Sequence, residues 1–68
     1  MPEICRFLGI IIAMYYNDHA PPHFHARYGE LEIRVEIETS KILSGHFPRR
    51  AQKLVLEWVE FHRDELLI

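Results

Sequence analysis

The chain has almost no cysteine and no long apolar run. Cys5 is the only cysteine among 68 residues, so no intramolecular disulfide can form and a zinc site built from several cysteines is excluded. A small fold without disulfides fits a reducing compartment, and we expect a cytoplasmic protein. The longest apolar run, residues 8–14, is far short of the ~20 residues that span a bilayer. The first residues also lack the pattern of a signal peptide, and we expect no contact with membranes.

A strong excess of charge of either sign is missing as well. The formal net charge is −2, so the chain has no global field that would attract nucleic acid, and any such contact would depend on a local patch. Hydrophobic residues make up 49% of the sequence, which argues against disorder and predicts a single domain over residues 1–68. A core this small would benefit from a partner or from homo-oligomerisation.

Extended structure is predicted within residues 3–45. Residues 4–16 are rich in aliphatic and aromatic side chains on both sides of Gly9, which predicts a strand on each side of a bulge or tight turn. Residues 17–22 combine Asn, Asp and two prolines, and this composition predicts a loop. Residues 23–28 can then return to extended structure.

The next segment carries the clearest strand pattern. Leu31, Ile33, Val35 and Ile37 alternate with Glu and Arg, which is typical of a strand with one buried and one solvated face. Residues 39–41 favour a hairpin turn, and a short return strand is expected to end near Gly45.

A helix is predicted over about residues 48–67. Pro48 suits its start, because the N–H that proline lacks has no partner in the first turn of a helix. Apolar residues recur at helical spacing along this segment: Ala51, Leu54, Val55, Trp58, Phe61, His62 and Leu66. Strands followed by a helix predict an α+β fold, in which a small antiparallel β-sheet of three to five strands packs against one C-terminal α-helix. The buried side of residues 31–37 should meet Leu54, Trp58 and Phe61.

Three of the five histidines lie within residues 18–25. His23 and His25 are two residues apart and would point to the same face of a strand, where they could act as general acid and base with Asp18 orienting one of them. Alternatively, His19, His23 and His25 could bind a divalent transition metal. A purely structural loop is the third interpretation, so no cofactor is assigned at this point.

The predicted helix is charged against its own dipole. Arg49, Arg50 and Lys53 occupy its first turns, and Asp64 and Glu65 its last turn, although the macrodipole favours the reverse order. One explanation is an anion site formed by these three cations, the N–H groups of the first turn and His46. The alternative is a solvated basic turn in which Lys53 pairs with Glu57.

Together these residues resemble a known family. The chain is similar to the bacterial domain of unknown function four-one-six-zero over nearly its whole length. The residues that carry this resemblance are Asp18-His19, Pro21 to His25, and the helix that begins Pro48-Arg49-Arg50-Ala51. Genes of that family often sit beside a small gene of the domain-of-unknown-function two-four-four-two type, and such pairs resemble type II toxin–antitoxin modules.

The resemblance therefore implies a toxin-like protein with a cognate small antitoxin-type partner. Its target would be RNA or another phosphorylated molecule, approached through the histidine loop. Two alternatives stay open: a non-catalytic interaction module, either antitoxin or regulatory subunit, and a histidine-based metal-binding protein.

Overall fold

The computed structural model describes residues 3–15 and 20–67. Within these residues the chain forms five strands and one helix: β1 Glu3–Phe7, β2 Ile10–Ala13, β3 His23–Tyr28, β4 Leu31–Glu36, β5 Ile42–Gly45 and α1 Arg49–Leu66. Every neighbouring pair of strands is antiparallel, and the order across the sheet follows the order in the chain. The helix packs on one face of the sheet, so the predicted α+β architecture is confirmed.

Two tight turns align the central strands. Leu8 and Gly9 link β1 to β2 with φ angles of 48° and 83°, both in the left-handed region that the favoured two-residue hairpin turns require. Gly29, with φ of 61°, begins the two-residue turn that places Tyr28 opposite Leu31. The resulting register sets which side chains of β2, β3 and β4 share a face.

The core lies between the sheet and α1. Successive side chains of a strand point to opposite faces, and β3 directs Phe24 and Ala26 toward the helix. The buried apolar side chains on this side of the sheet and on the helix form one cluster: Ile10, Ile12, Phe24, Ala26, Ile33, Val35, Ile37, Phe47, Ala51, Val55 and Val59. Trp58 packs against the cluster, with its ring 5.5 Å from that of Phe24.

Two residues predicted to be in the core are not buried. Phe61 is 84% exposed and Leu31 is 42% exposed. The helix buries a narrower stripe than the sequence suggested, because Ala51, Val55 and Val59, at intervals of four, face the sheet. Phe61 lies on a flank of that stripe, and Leu31 lies at the turn end of β4. Phe47, which the sequence pattern did not identify, fills the end of the core beneath Tyr28.

The helix begins with Pro48 as its N-cap, and the Pro48 carbonyl accepts the N–H of Gln52 at 2.9 Å. Near its other end, Arg63 ties the helix to the turn between β4 and β5. Its Nε donates to the Ile37 carbonyl at 2.8 Å, and its guanidinium also donates to the Ser40 hydroxyl and to Glu60. The helix position over the sheet is therefore fixed by a polar contact as well as by packing.

The opposite side of the sheet is called here the open face. In the described part of the chain no helix or strand covers it. The alternation and the register give its members as Glu3, Arg6, Ile11, Ala13, His23, His25, Arg27, Glu32, Arg34, Glu36 and Ser44.

Candidate functional site on the open face

His23 and His25 lie on the open face, as their spacing predicted. Their ring centroids are 5.2 Å apart and the rings are tilted by 53°. His23 is only 6% exposed, and its Nδ1 lies 2.8 Å from the carbonyl oxygen of Pro21. Because a carbonyl oxygen only accepts hydrogen bonds, that nitrogen carries the proton and holds the ring against the end of the loop.

His25 is oriented by a carboxylate from the next strand. Its Nδ1 donates to Oε2 of Glu32 at 2.9 Å. This bond sets the neutral tautomer, in which Nε2 is the nitrogen that accepts a proton. The ring of Tyr15 meets His25 edge to face at 4.5 Å, and the side chain of His25 is 14% exposed. A histidine held by a carboxylate at one nitrogen and by an aromatic ring at its side has the arrangement of a positioned acid–base group.

Arginines lie next to this pair. Arg34 is directly opposite His25 across the β3–β4 ladder, and Arg27 is directly opposite Glu32. Arg34 Nε donates to the hydroxyl of Ser44 at 2.9 Å. His25, Arg34 and Ser44 thus form one row across three strands, in which a guanidinium capable of binding phosphate lies beside an imidazole.

An arginine–carboxylate pair also lies on β1. Arg6 makes two bonds to Glu3, at 2.9 and 3.0 Å, and the hydrogen bond from Arg6 lowers the pKa of the Glu3 carboxyl below its ordinary value. Arg6 is therefore occupied by an intramolecular partner, whereas Arg34 is held through Nε by a neutral hydroxyl.

The basic start of the helix is a separate feature. Arg49 and Arg50 belong to α1, which packs against the Phe24 side of the sheet, while the histidines occupy the opposite side. Arg49 and Lys53 border a shallow groove of about 520 Å³ that also includes Glu57 and Glu60. His46 is exposed in the link between β5 and the helix. The histidines and the proposed anion site are thus not brought together.

Two residues of the predicted site lie outside the described part of the chain. These are Asp18, the predicted orienting carboxylate, and His19, the third predicted metal ligand. Among the residues that are described, no group of three or more His, Cys, Asp or Glu side chains is arranged to hold a metal ion. The carboxylate that contacts His25 in the described structure is Glu32.

Sequence reasoning missed Glu32 and Arg34 as site residues. Both belong to the alternating polar positions of β4, which predicted only a solvated face. The missing information was the register: the two-residue turn at Gly29 aligns His25 with Arg34 and Arg27 with Glu32. That turn could have been anticipated, because a glycine between two alternating segments is a hairpin signal.

Comparison with known proteins identifies the family. The family described as Domain of unknown function (DUF4160) matches residues 9–68, and the chain belongs to it. No curated protein and no solved structure resembles the chain closely enough to count as a match. Within the described residues, no helix is both long enough and apolar enough to cross a membrane.

Proposed function

We propose that this chain is the toxin-like component of a bacterial type II toxin–antitoxin module, and that it acts on RNA in the cytoplasm through the open face. The observation that carries the proposal is the Glu32–His25 pair with Arg34 beside it. This combination contains a positioned proton acceptor and a cation for a phosphodiester, which are the two groups that metal-free RNA cleavage needs most.

The chemistry follows from these positions. His25 Nε2 removes the proton of a ribose 2′-hydroxyl, and the 2′ oxygen forms a bond to the adjacent phosphorus. The bond from phosphorus to the 5′ oxygen of the next nucleotide breaks, and that oxygen takes a proton from water. The hydroxide so formed takes the proton from His25, which returns the imidazole to its neutral form. The products are a 2′,3′-cyclic phosphate and a 5′-hydroxyl. Glu32 stabilises the protonated imidazole, and Arg34 stabilises the additional negative charge on the phosphoryl oxygens.

His23 has a supporting role in this proposal. It is more deeply buried than His25, and its Nδ1 is committed to the carbonyl of Pro21. We assign it to positioning the loop and the neighbouring imidazole, while His25 acts on the substrate.

The test is cleavage of a labelled single-stranded RNA by the purified chain in the presence of a chelator. His25→Gln should reduce the rate by about 10²–10⁴-fold, the usual contribution of a general base, and Glu32→Gln by a smaller factor. Glu30→Gln is the matched control for Glu32→Gln, because Glu30 is exposed in the turn between β3 and β4. A DNA strand of the same sequence should remain intact, because it lacks the 2′-hydroxyl.

Equal cleavage by wild type and His25→Gln would refute the enzymatic role. Cleavage that appears only after addition of a transition metal would instead favour the metal-binding alternative, with His19, His23 and His25 as ligands.

A second candidate is a non-catalytic interaction module, and the exposure of Phe61 favours it. In that case the chain forms a stable complex whose affinity is insensitive to His25→Gln, and no RNA is cleaved under any condition. Isothermal titration with the product of the neighbouring gene separates the two candidates.

A further inference from the structure

The flank of α1 that carries Phe61 exposes apolar side chains to solvent. Phe61 is 84% exposed, more than any other large apolar side chain of the described residues. Leu54 and Trp58 lie seven and three residues before it and are half-buried, so that an apolar strip follows the helix. Trp58 also stacks on Phe7 of β1, with ring centroids 6.4 Å apart, which places this flank above the β1 side of the sheet.

The charged residues one turn before and one turn after Phe61 are acidic, although Glu65 accepts a hydrogen bond from His62 Nδ1 at 2.9 Å and Arg50 lies on the same side of the helix near its start. Glu57 is four residues before Phe61, and Asp64 and Glu65 are three and four residues after it, so that all three carboxylates border the ring. They add to the negative end of the helix dipole, an arrangement that lowers helix stability. Arg63, the basic residue of the last turn, is directed instead toward the Ile37 carbonyl.

Two other occupants fit this flank less well. A second copy docked with its Phe61 against this Phe61 would place the same carboxylates against each other, which costs binding energy. An antiparallel second copy would instead bring its Arg50 to these carboxylates, and a dimer in solution that Phe61→Ser abolishes would overturn the proposal in favour of that arrangement. Strand addition to β1 is opposed by the irregularity between Glu3 and Cys5, because bulges protect sheet edges from pairing. Charge complementarity favours a partner that is basic and that buries an aromatic ring.

We propose that the flank formed by Leu54, Trp58 and Phe61 docks an amphipathic helix of a partner protein, in which lysine or arginine residues border an apolar strip. Phe61 is the anchor of this contact and Glu57, Asp64 and Glu65 form its charged rim. The identification of this partner with the antitoxin-type protein rests on the proposed function, whereas the docking chemistry does not.

The test uses two labelled helical peptides with the same leucine strip, one with lysine and one with glutamate at the polar positions. The full chain should bind the lysine peptide, and the affinity should fall with increasing salt. Phe61→Ser should weaken binding at least ~10-fold, as expected for an aromatic anchor. Leu8→Ser is the matched control, since Leu8 is 74% exposed but lies in the β1–β2 turn, and it should leave binding unchanged.

Equal binding of the two peptides, or unchanged binding by Phe61→Ser, would overturn the proposal. Asp64→Lys is a second variant at an exposed position. It should weaken binding of the lysine peptide, whereas Glu30→Lys should leave that binding unchanged. The peptide measurements involve neither RNA nor growth. A failure of peptide binding would therefore not contradict the proposed RNA cleavage, and an absence of RNA cleavage would not contradict the docking surface.

Discussion

At the scale of single residues, Gly45 is the glycine with the least room for a side chain. Its φ is +89°, and an added Cβ would lie 2.1 Å from the carbonyl oxygen of Glu32 and 2.9 Å from Cα of Ile33. Both contacts are backbone, so the β4 strand itself would have to move. We expect Gly45→Ala to lower the free energy of unfolding by about 2–4 kcal/mol, from left-handed backbone strain and overpacking together.

Gly29→Ala is the matched control in the same denaturant titration. Its φ is +61°, but nothing lies within 4 Å of an added Cβ. Only the backbone strain should remain, at about 1 kcal/mol. Equal losses in the two variants would contradict the close approach of Gly45 to β4.

Leu8 is a residue where the chain can be stabilised. It occupies the left-handed region with φ of 48°, and its side chain is 74% exposed, so it gains little from burial. Leu8→Asn should raise the free energy of unfolding by about 0.5 kcal/mol, because Asn followed by Gly suits this type of hairpin turn. Leu8→Ala keeps the strain and should give no such gain in thermal or denaturant unfolding.

At the scale of elements, Arg63 is the polar link between α1 and the β4–β5 turn. Replacing it with Gln removes the donor to the Ile37 carbonyl and the bonds to Glu60. We expect Arg63→Gln to lower the midpoint of denaturant unfolding clearly more than Arg50→Gln, since Arg50 is exposed in the first turn. A smaller effect at Arg63 than at Arg50 would argue against this link.

The same link predicts a pH dependence. The hydrogen bond from Arg63 holds the pKa of the Glu60 carboxyl below its ordinary value. A lowered carboxyl pKa stabilises the folded state above the ordinary pKa of an unfolded glutamate, and this contribution is lost as the pH falls through the lowered value. The difference in unfolding midpoint between wild type and Glu60→Gln should therefore be present at neutral pH and shrink in acid.

The elements show what could be predicted from the sequence. Three local signals each correspond to an observed element. The alternation in residues 31–37 predicted a strand, Gly9 between two apolar segments predicted a turn, and the apolar periodicity after Pro48 predicted the helix. The shared face of His23 and His25 follows from the period of a strand. Local signals were sufficient there because neighbouring residues decide these features.

The exposed Phe61 and the contact between His25 and Glu32 depend on tertiary geometry. Periodicity identifies a broad apolar stripe, but only the position of the helix over the sheet decides which part of it is buried. Likewise, the polar positions of β4 are equivalent in sequence until the register places Glu32 beside His25 and Arg34 opposite it. In both cases the sequence does not show which distant residues come into contact, namely how the helix lies on the sheet and how β3 pairs with β4.

At the scale of the whole molecule, the histidines and the basic helix start lie on opposite faces of the sheet. A phosphodiester held at His25 is therefore within reach of Arg34 but separated by the sheet from Arg49. We expect Arg34→Gln to slow RNA cleavage about 10²-fold, as for loss of one donor to a developing anion, and Arg49→Gln to leave the rate nearly unchanged. The reverse result would move the phosphate site to the helix.

The open face is proposed to carry a toxic activity that depends on His25. The most direct measurement is growth of a bacterial host after induction of the wild-type chain, His25→Gln or Glu30→Gln, each confirmed as folded and expressed to the same level. We predict arrest by wild type and by Glu30→Gln, normal growth with His25→Gln, and rescue of arrested cells by co-expression of the proposed antitoxin-type partner. Normal growth with all three proteins, or equal arrest by all three, would contradict the claim.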